Sequence, residues 1–263
     1  MSEKITAENL DRVILKNKEI KADIEKCYQL IITKFNPMQV SSPPQLAFQL
    51  LRTYGLIQMP IDNPYFSGAI YVKENKRIPF INSALPRVNQ YFAAWHELYH
   101  LIFDVVSFDH LIEPETTMEE RKAEYFASRM LLGDLMSYFA ELPKDMDFQS
   151  KIYNCMAVFQ TPYKAVLISL YEMATRVNNS DLMCMVKENF DEDHRKISER
   201  FGELGLDNTL VLPSYVMDVS SLQSKIKECE QERPDLKYHK DNELFLEKLI
   251  NEIKLGIGDV YGS

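Results

Sequence analysis

The 263-residue chain is short of basic charge, glycine and cysteine. Thirty lysines and arginines stand against 39 aspartates and glutamates, a net charge of −9, so a surface built to neutralise nucleic-acid phosphates is not expected. The eight glycines form no phosphate-cradling loop, and neither a nucleophilic serine motif nor an internal repeat is present. The four cysteines, Cys27, Cys155, Cys184 and Cys229, are widely spaced without a C-x-x-C pair. Reduced structural thiols are therefore expected, rather than disulfides or a thiolate metal site. The start of the chain shows no secretory h-region, and no apolar run is long enough to span a bilayer, so a cytoplasmic protein without a membrane partner is expected. A hydrophobic content of 46% suffices for one large or two modest cores.

Histidine is scarce too, with five in the chain, yet two of them fall in His96-Glu97-Leu98-Tyr99-His100. On an α-helix the two imidazoles lie about 40° apart, with Glu97 inside the same arc of about 100°. The flanking sequence predicts such a helix. Phe92, Trp95, Tyr99, Ile102 and Phe103 recur at three- and four-residue spacing, and Asn82-Ser83 and Pro86 mark its start. The pattern is that of two neutral histidine ligands with a carboxylate general base between them. An ordinary core helix with two satisfied histidines is the structural alternative.

A zinc site needs a further protein ligand on a separate element. Thr116 to Ala127 reads as the start of a second helix, with Ala123, Phe126, Ala127, Met130 and Leu131 as its apolar stripe and Gly133 as its stop. Glu120 and Glu124 share the inward face. Glu120 is expected to bind the metal, and Glu124 to orient a ligand histidine through a hydrogen bond. Against this, Thr117-x-x-Glu120 could be a capping box; Thr116-x-x-Glu119 offers the same cap and would free Glu120.

The run Arg77-Ile78-Pro79-Phe80-Ile81-Asn82, the segment from Phe92 to Leu101, and Glu120-x-x-Ala123-Glu124-Tyr125-Phe126-Ala127-x-x-Met130-Leu131 together resemble the ImmA/IrrE family of metallo-endopeptidases over roughly residues 20 to 175. The resemblance implies a glutamate-type zincin with one Zn²⁺ held by His96, His100 and Glu120, and Glu97 as the catalytic carboxylate. Trp95 and Tyr99 stand where that family usually has small residues. Glu124 replaces Asn or Asp, Gly133 replaces a common Pro, and Asn89 and Tyr91 replace arginines. The bulk of Trp95 and Tyr99 would lie directly beside the metal helix.

Around these helices the expected fold is α+β: a mainly helical zincin-like domain over residues 1–178, with a small three-stranded sheet beside the metal helix, and a helical extension over 179–263. Strands are predicted at Leu56–Ile61, Ser67–Lys73 and Arg77–Ser83, separated by Asp62-Asn63-Pro64 and Glu74-Asn75-Lys76 turns. An apolar stripe Ile20, Ile24, Cys27, Ile31 and the run Pro44–Tyr54, stopped by Gly55, predict two early helices. Asp145–Gln160 and Pro162–Arg176, with Thr161 as N-cap, resemble a helix-turn-helix. Its second helix carries only Lys164 and Arg176 as cations, so it is expected to pack rather than bind DNA. Asn178-Asn179-Ser180-Asp181 marks the expected boundary. Beyond it, helices are predicted at Asp191–Glu203, Ser220–Glu230 and Asn242–Lys254, and a short strand at Thr209–Val216.

The expected function is a zinc-dependent endopeptidase that cleaves one regulatory protein. The family resemblance implies a transcriptional repressor encoded nearby. The alternative is a metal-stiffened module that sequesters such a protein without hydrolysis. Strand Gly68–Val72 could be an edge that pairs with an extended substrate, with an ordinary sheet strand as the alternative. For the oxyanion, His110, Tyr91, Tyr125 and Tyr153 are open possibilities.

Overall fold

The structure, a computed structural model, describes residues 4–35, 42–73, 76–104, 116–192 and 194–261. After a 3-10 turn at Ala7–Asn9 come α1 (Leu10–Phe35) and α2 (Pro43–Thr53). Three strands follow, β1 (Ile57–Met59), β2 (Gly68–Lys73) and β3 (Lys76–Asn82). Next are α3 (Arg87–Ile102), α4 (Thr116–Leu131), α5 (Leu135–Glu141), α6 (Phe148–Phe159) and α7 (Tyr163–Arg176). The chain ends with α8 (Ser180–Asn189), α9 (Ile197–Glu203), a 3-10 turn at Asn208–Val211, α10 (Ser220–Glu232) and α11 (His239–Tyr261). This is the expected α+β class: helical, with one small mixed sheet.

The strand order is β1-β3-β2, with β1 parallel and β2 antiparallel to β3. The parallel pairing is possible because β1 and β3 are not joined directly; β2 and its hairpin come between them. The β2–β3 register runs from Gly68↔Ile81 to Lys73↔Lys76, which places β2 at one edge. At the other edge Gln58 bridges Asp218, whose backbone exchanges hydrogen bonds with it in both directions at 2.9 and 2.7 Å.

α1 joins two cores. Its Leu10, Val13 and Ile14 enter a cluster with α5 to α9, whereas Ile20, Ile24 and Ile31 enter a second with α2, the sheet, α3 and α4. Twenty-six residues of helix reach about 39 Å, enough to serve both. Each fully buried aliphatic side chain contributes about 1.5–3 kcal/mol, so the shared helix couples the two clusters firmly.

Several local expectations change. Asn178 and Asn179 form a tight helix junction: Asn178 has φ of 53° and Asn179 Oδ1 caps α8 by accepting from Leu182 N at 3.1 Å. Leu182, Val186, Phe190, Phe201, Leu210 and Val211 then fill the same cluster as α6 and α7, so the core runs across 178/179. Residues 209–216 form no strand. Pro213 has no N–H for a ladder; the segment begins as the 3-10 turn and then lies against the start of α3, Leu212 O accepting from Arg87 N at 3.0 Å. Only Ile197–Glu203 of the predicted 191–203 helix is helical among the described residues. Pro162, not Thr161, is the N-cap of α7, and Thr161 Oγ1 donates back to Phe159 O.

Candidate metal centre

The start of α3 is tied to three other parts of the chain through Gln90, a buried side chain. Its Nε2 donates to Ser83 O at 3.1 Å and Leu85 O at 2.6 Å, and its Oε1 accepts from Gln58 Nε2 at 3.1 Å and Ser214 Oγ at 2.8 Å. Both polar atoms of the Gln90 side chain are thus paired, so seating the helix on the sheet leaves neither orphaned. α4 packs along α3, and this contact brings the two halves of the site together.

His96, His100 and Glu120 converge with one ligand atom each inside a 4.8 Å span. His96 Nε2 is 3.2 Å from His100 Nε2 and 3.2 Å from Glu120 Oε2, and His100 Nε2 is 3.5 Å from Glu120 Oε1. A tetrahedral zinc with bonds of about 2.0–2.1 Å requires ligand–ligand edges of about 3.3–3.4 Å. The donor set thus fits one such ion. Glu120 points at the histidines and not back at its helix start. Glu119 accepts from Tyr99 Oη at 3.0 Å and pairs with Lys122.

Burial, reinforced by the neighbouring His96, lowers the His100 pKa and favours the neutral imidazole a metal needs. For His96 burial acts the same way but is outweighed by Glu120, Glu97 and Glu124, and its pKa rises. Glu120 is buried enough to be pushed up, yet its hydrogen bond and charge interaction with His96 bring it down.

The orienting carboxylate is Asp104, which no sequence motif singled out. Its Oδ2 lies 2.9 Å from His100 Nδ1, leaving Nε2 for the metal side. The signal was present as spacing, since His100 and Asp104 are four residues apart. Glu124 does not occupy this place: its carboxylate is paired with Arg121, itself buried and held by Asn17 Oδ1 at 2.7 Å. Arg77 of β3 fixes the same helix end. Its guanidinium donates to the carbonyls of His100, Leu101 and Asp104 at 3.4, 3.3 and 3.0 Å, satisfying oxygens that a helix terminus leaves open.

Glu97 is 4% exposed, and burial raises its pKa to about 7, with His96 opposing and Glu120 adding to the shift. It sits against the edge strand. A β-carbon at Gly68 would lie 2.9 Å from Glu97 Oε1 and 2.8 Å from Phe80 O, so only glycine lets strand and carboxylate approach this closely.

Trp95 and Tyr99 do not narrow the site. They are 0% and 4% exposed and face the second core, where Trp95 packs edge-on to Phe126 at 6.0 Å and Tyr99 lies 5.7 Å from Phe103. Each directly precedes a ligand histidine, about 100° back around the helix and so on the side away from Glu97, which is where this bulk goes. The tyrosines considered for the oxyanion have other partners. Tyr125 Oη donates to Glu172 at 2.9 Å, Tyr153 belongs to the other cluster beside His194, and the Tyr91 ring packs on Phe48. His110 lies outside the described residues.

With this geometry in view, the sequence comparisons are specific. Residues 56–171 match the IrrE N-terminal-like domain, the peptidase M78 family, so this segment, which contains the sheet and both metal-site helices, belongs to that family. A metallopeptidase-type function follows at that level. No curated protein and no solved structure matches the chain significantly.

Proposed function

We propose that this chain, with its IrrE N-terminal-like peptidase segment, is a zinc-dependent endopeptidase that cleaves a specific regulatory protein, a transcriptional repressor encoded near its own gene. The observation that carries the reading is the spacing of the three donor atoms, 3.2 to 3.5 Å, beside a buried carboxylate on the same helix. A zinc ion held by His96, His100 and Glu120 supplies Lewis acidity, lowering the pKa of water to about 7 and polarising a carbonyl. Glu97 takes the proton of the attacking water at its carboxylate and gives it to the leaving amine. Asp104 keeps His100 in the tautomer that leaves Nε2 unprotonated.

Sequestration without hydrolysis rested on bulk at Trp95 and Tyr99, and both face the core. For a protein rather than a nucleic-acid target, the supporting facts are the net charge of −9 and the pairing of Lys164 with Asp191 and of Arg176 with Glu172. We place the protein in the cytosol with its target. Its four thiols are free, and no helix among the described residues is long and apolar enough to cross a membrane.

The test pairs wild type with Glu97→Gln on the purified products of the flanking genes. Both proteins should bind one equivalent of zinc, and only wild type should generate a new N-terminus in a repressor. Cleavage by Glu97→Gln at the wild-type rate, or no cleavage of any protein by zinc-loaded wild type, overturns the proposal.

A further inference from the structure

We infer that Tyr65 anchors the substrate, receiving an aromatic or large aliphatic side chain two or three residues from the cleaved bond, an inference that rests on the peptidase reading above. Tyr65 is 95% exposed, more than any other large apolar residue described. Its backbone is nevertheless held on both sides. Asn82, fully buried, gives Nδ2 to the carbonyls of Ile61, Asn63 and Phe66 at 3.0, 3.3 and 2.8 Å, and its Oδ1 accepts from Ile61 N at 2.8 Å. Tyr65 N donates to Asn63 Oδ1 at 2.9 Å, and Asn82 N donates to Ser67 O at 3.0 Å. The next residue, Phe66, turns inward onto Phe80 with ring centroids 5.8 Å apart. The loop therefore shelters one aromatic ring and presents the other.

A rigid backbone displaying an exposed tyrosine has the properties of a binding anchor: a large contact area, with only two side-chain torsions to freeze. Covalent geometry bounds its distance from the site. Gly68 follows Tyr65 by three residue steps, a span of at most about 11 Å, and a β-carbon on Gly68 would be 2.9 Å from Glu97 Oε1. An extended peptide advances about 3.3–3.6 Å per residue, so a residue two or three positions from the reacting bond reaches the tyrosine. β2 continues from Gly68 as the sheet's edge, with no further strand beside it among the described residues. Tyr71, 59% exposed, lies on the same strand. The occupant is an extended stretch of the protein substrate that adds to β2 and lays its apolar side chain on Tyr65.

The experiment incubates zinc-loaded protein with native lysate of the source cell, labels new N-termini and reads their sequences, with Glu97→Gln as the blank. A peptide spanning the cleaved site is then the substrate for Tyr65→Ala, Tyr65→Phe and, as a remote exposed control, Tyr238→Ala. The expected site has an aromatic or large aliphatic residue within three positions of the cut. Tyr65→Ala should raise KM by about tenfold, as loss of an interface anchor does, with kcat and zinc content retained. Tyr65→Phe and Tyr238→Ala should match wild type. An unchanged KM for Tyr65→Ala, or only small and charged residues around the cut, overturns the anchor and leaves the peptidase reading standing. The absence of any new N-terminus relative to the blank overturns both.

Discussion

His100 and Asp104, one helical turn apart, share a 2.9 Å contact between Nδ1 and Oδ2 that settles which imidazole nitrogen faces Glu120. Replacing a carboxylate that orients a ligand histidine costs about 10–100-fold in metal affinity. Asp104→Ala should weaken zinc binding by that factor in a competition titration with a chromophoric chelator, while the far-UV circular dichroism stays that of wild type. Equal affinity would show that Arg77 and the packing alone hold the ring.

Gly68→Ala tests the approach of the edge strand. The new methyl would meet Phe80 O, a backbone atom, and Glu97 Oε1 within 3 Å, so β2 or the carboxylate must move. A displacement near 1 Å can cost on the order of 100-fold in rate. Cleavage should fall by roughly that much with zinc stoichiometry unchanged, since none of the three donors is among the nearest neighbours of this position.

Chelation should expose the contribution of the ion to the fold. His96 and His100 lie on α3 and Glu120 on α4, so one ion held by all three would clip two helices. At zinc concentrations of 100 to 1,000 times Kd the folded state gains about 2.7 to 4.1 kcal/mol. Scanning calorimetry should find the melting temperature lowered by a chelator and restored by added zinc, and the same chelator should leave a Glu120→Ala variant unmoved.

Trp95→Ala separates packing from cleft shape. Emptying a fully buried tryptophan site costs about 3–5 kcal/mol, because Trp95 is 0% exposed and sealed by Phe126. Denaturant unfolding should report that loss. Well below the melting temperature the KM for a cleaved peptide should not change; a lower KM would place the indole at the substrate channel.

The thiols offer a check on the first core. Burial lifts the Cys155 pKa to about 12 in the cluster between α5 and α7. At pH 8 only about one molecule in ten thousand carries its thiolate, and the reagent must also reach a buried atom. Iodoacetamide should modify exposed Cys184 in the native protein and reach Cys155 only after denaturation, as read by peptide mass spectrometry.

Local chemistry was legible wherever it depends on spacing along one element. His96, Glu97 and His100 are placed by helical periodicity, and Glu120 by the stripe of the next helix, so the convergence could be expected from two short stretches. The three strands were visible through their richness in Ile, Val and Tyr and through the turn residues between them. Glu124 shows where spacing stops being enough. It has the right face and period for a hydrogen bond to a histidine, but Arg121 three residues earlier takes its carboxylate. Helix pairs of opposite charge at that spacing compete with any partner on another element.

The chain by itself determined that two imidazoles and a carboxylate share one helical face, because side-chain type and periodicity within a helix fix that much. Only the tertiary structure decided where everything else goes. It sent Trp95 and Tyr99 into the core through the rotation of α3, and set Gly68 against Glu97 through the register of β2 on β3. It also made residues beyond 178 part of the core under α6 and α7, and pinned the Tyr65 loop through Asn82. Those outcomes depend on contacts between residues distant in the chain, and the free energy of such contacts comes from shared burial and paired polar atoms that no local pattern encodes.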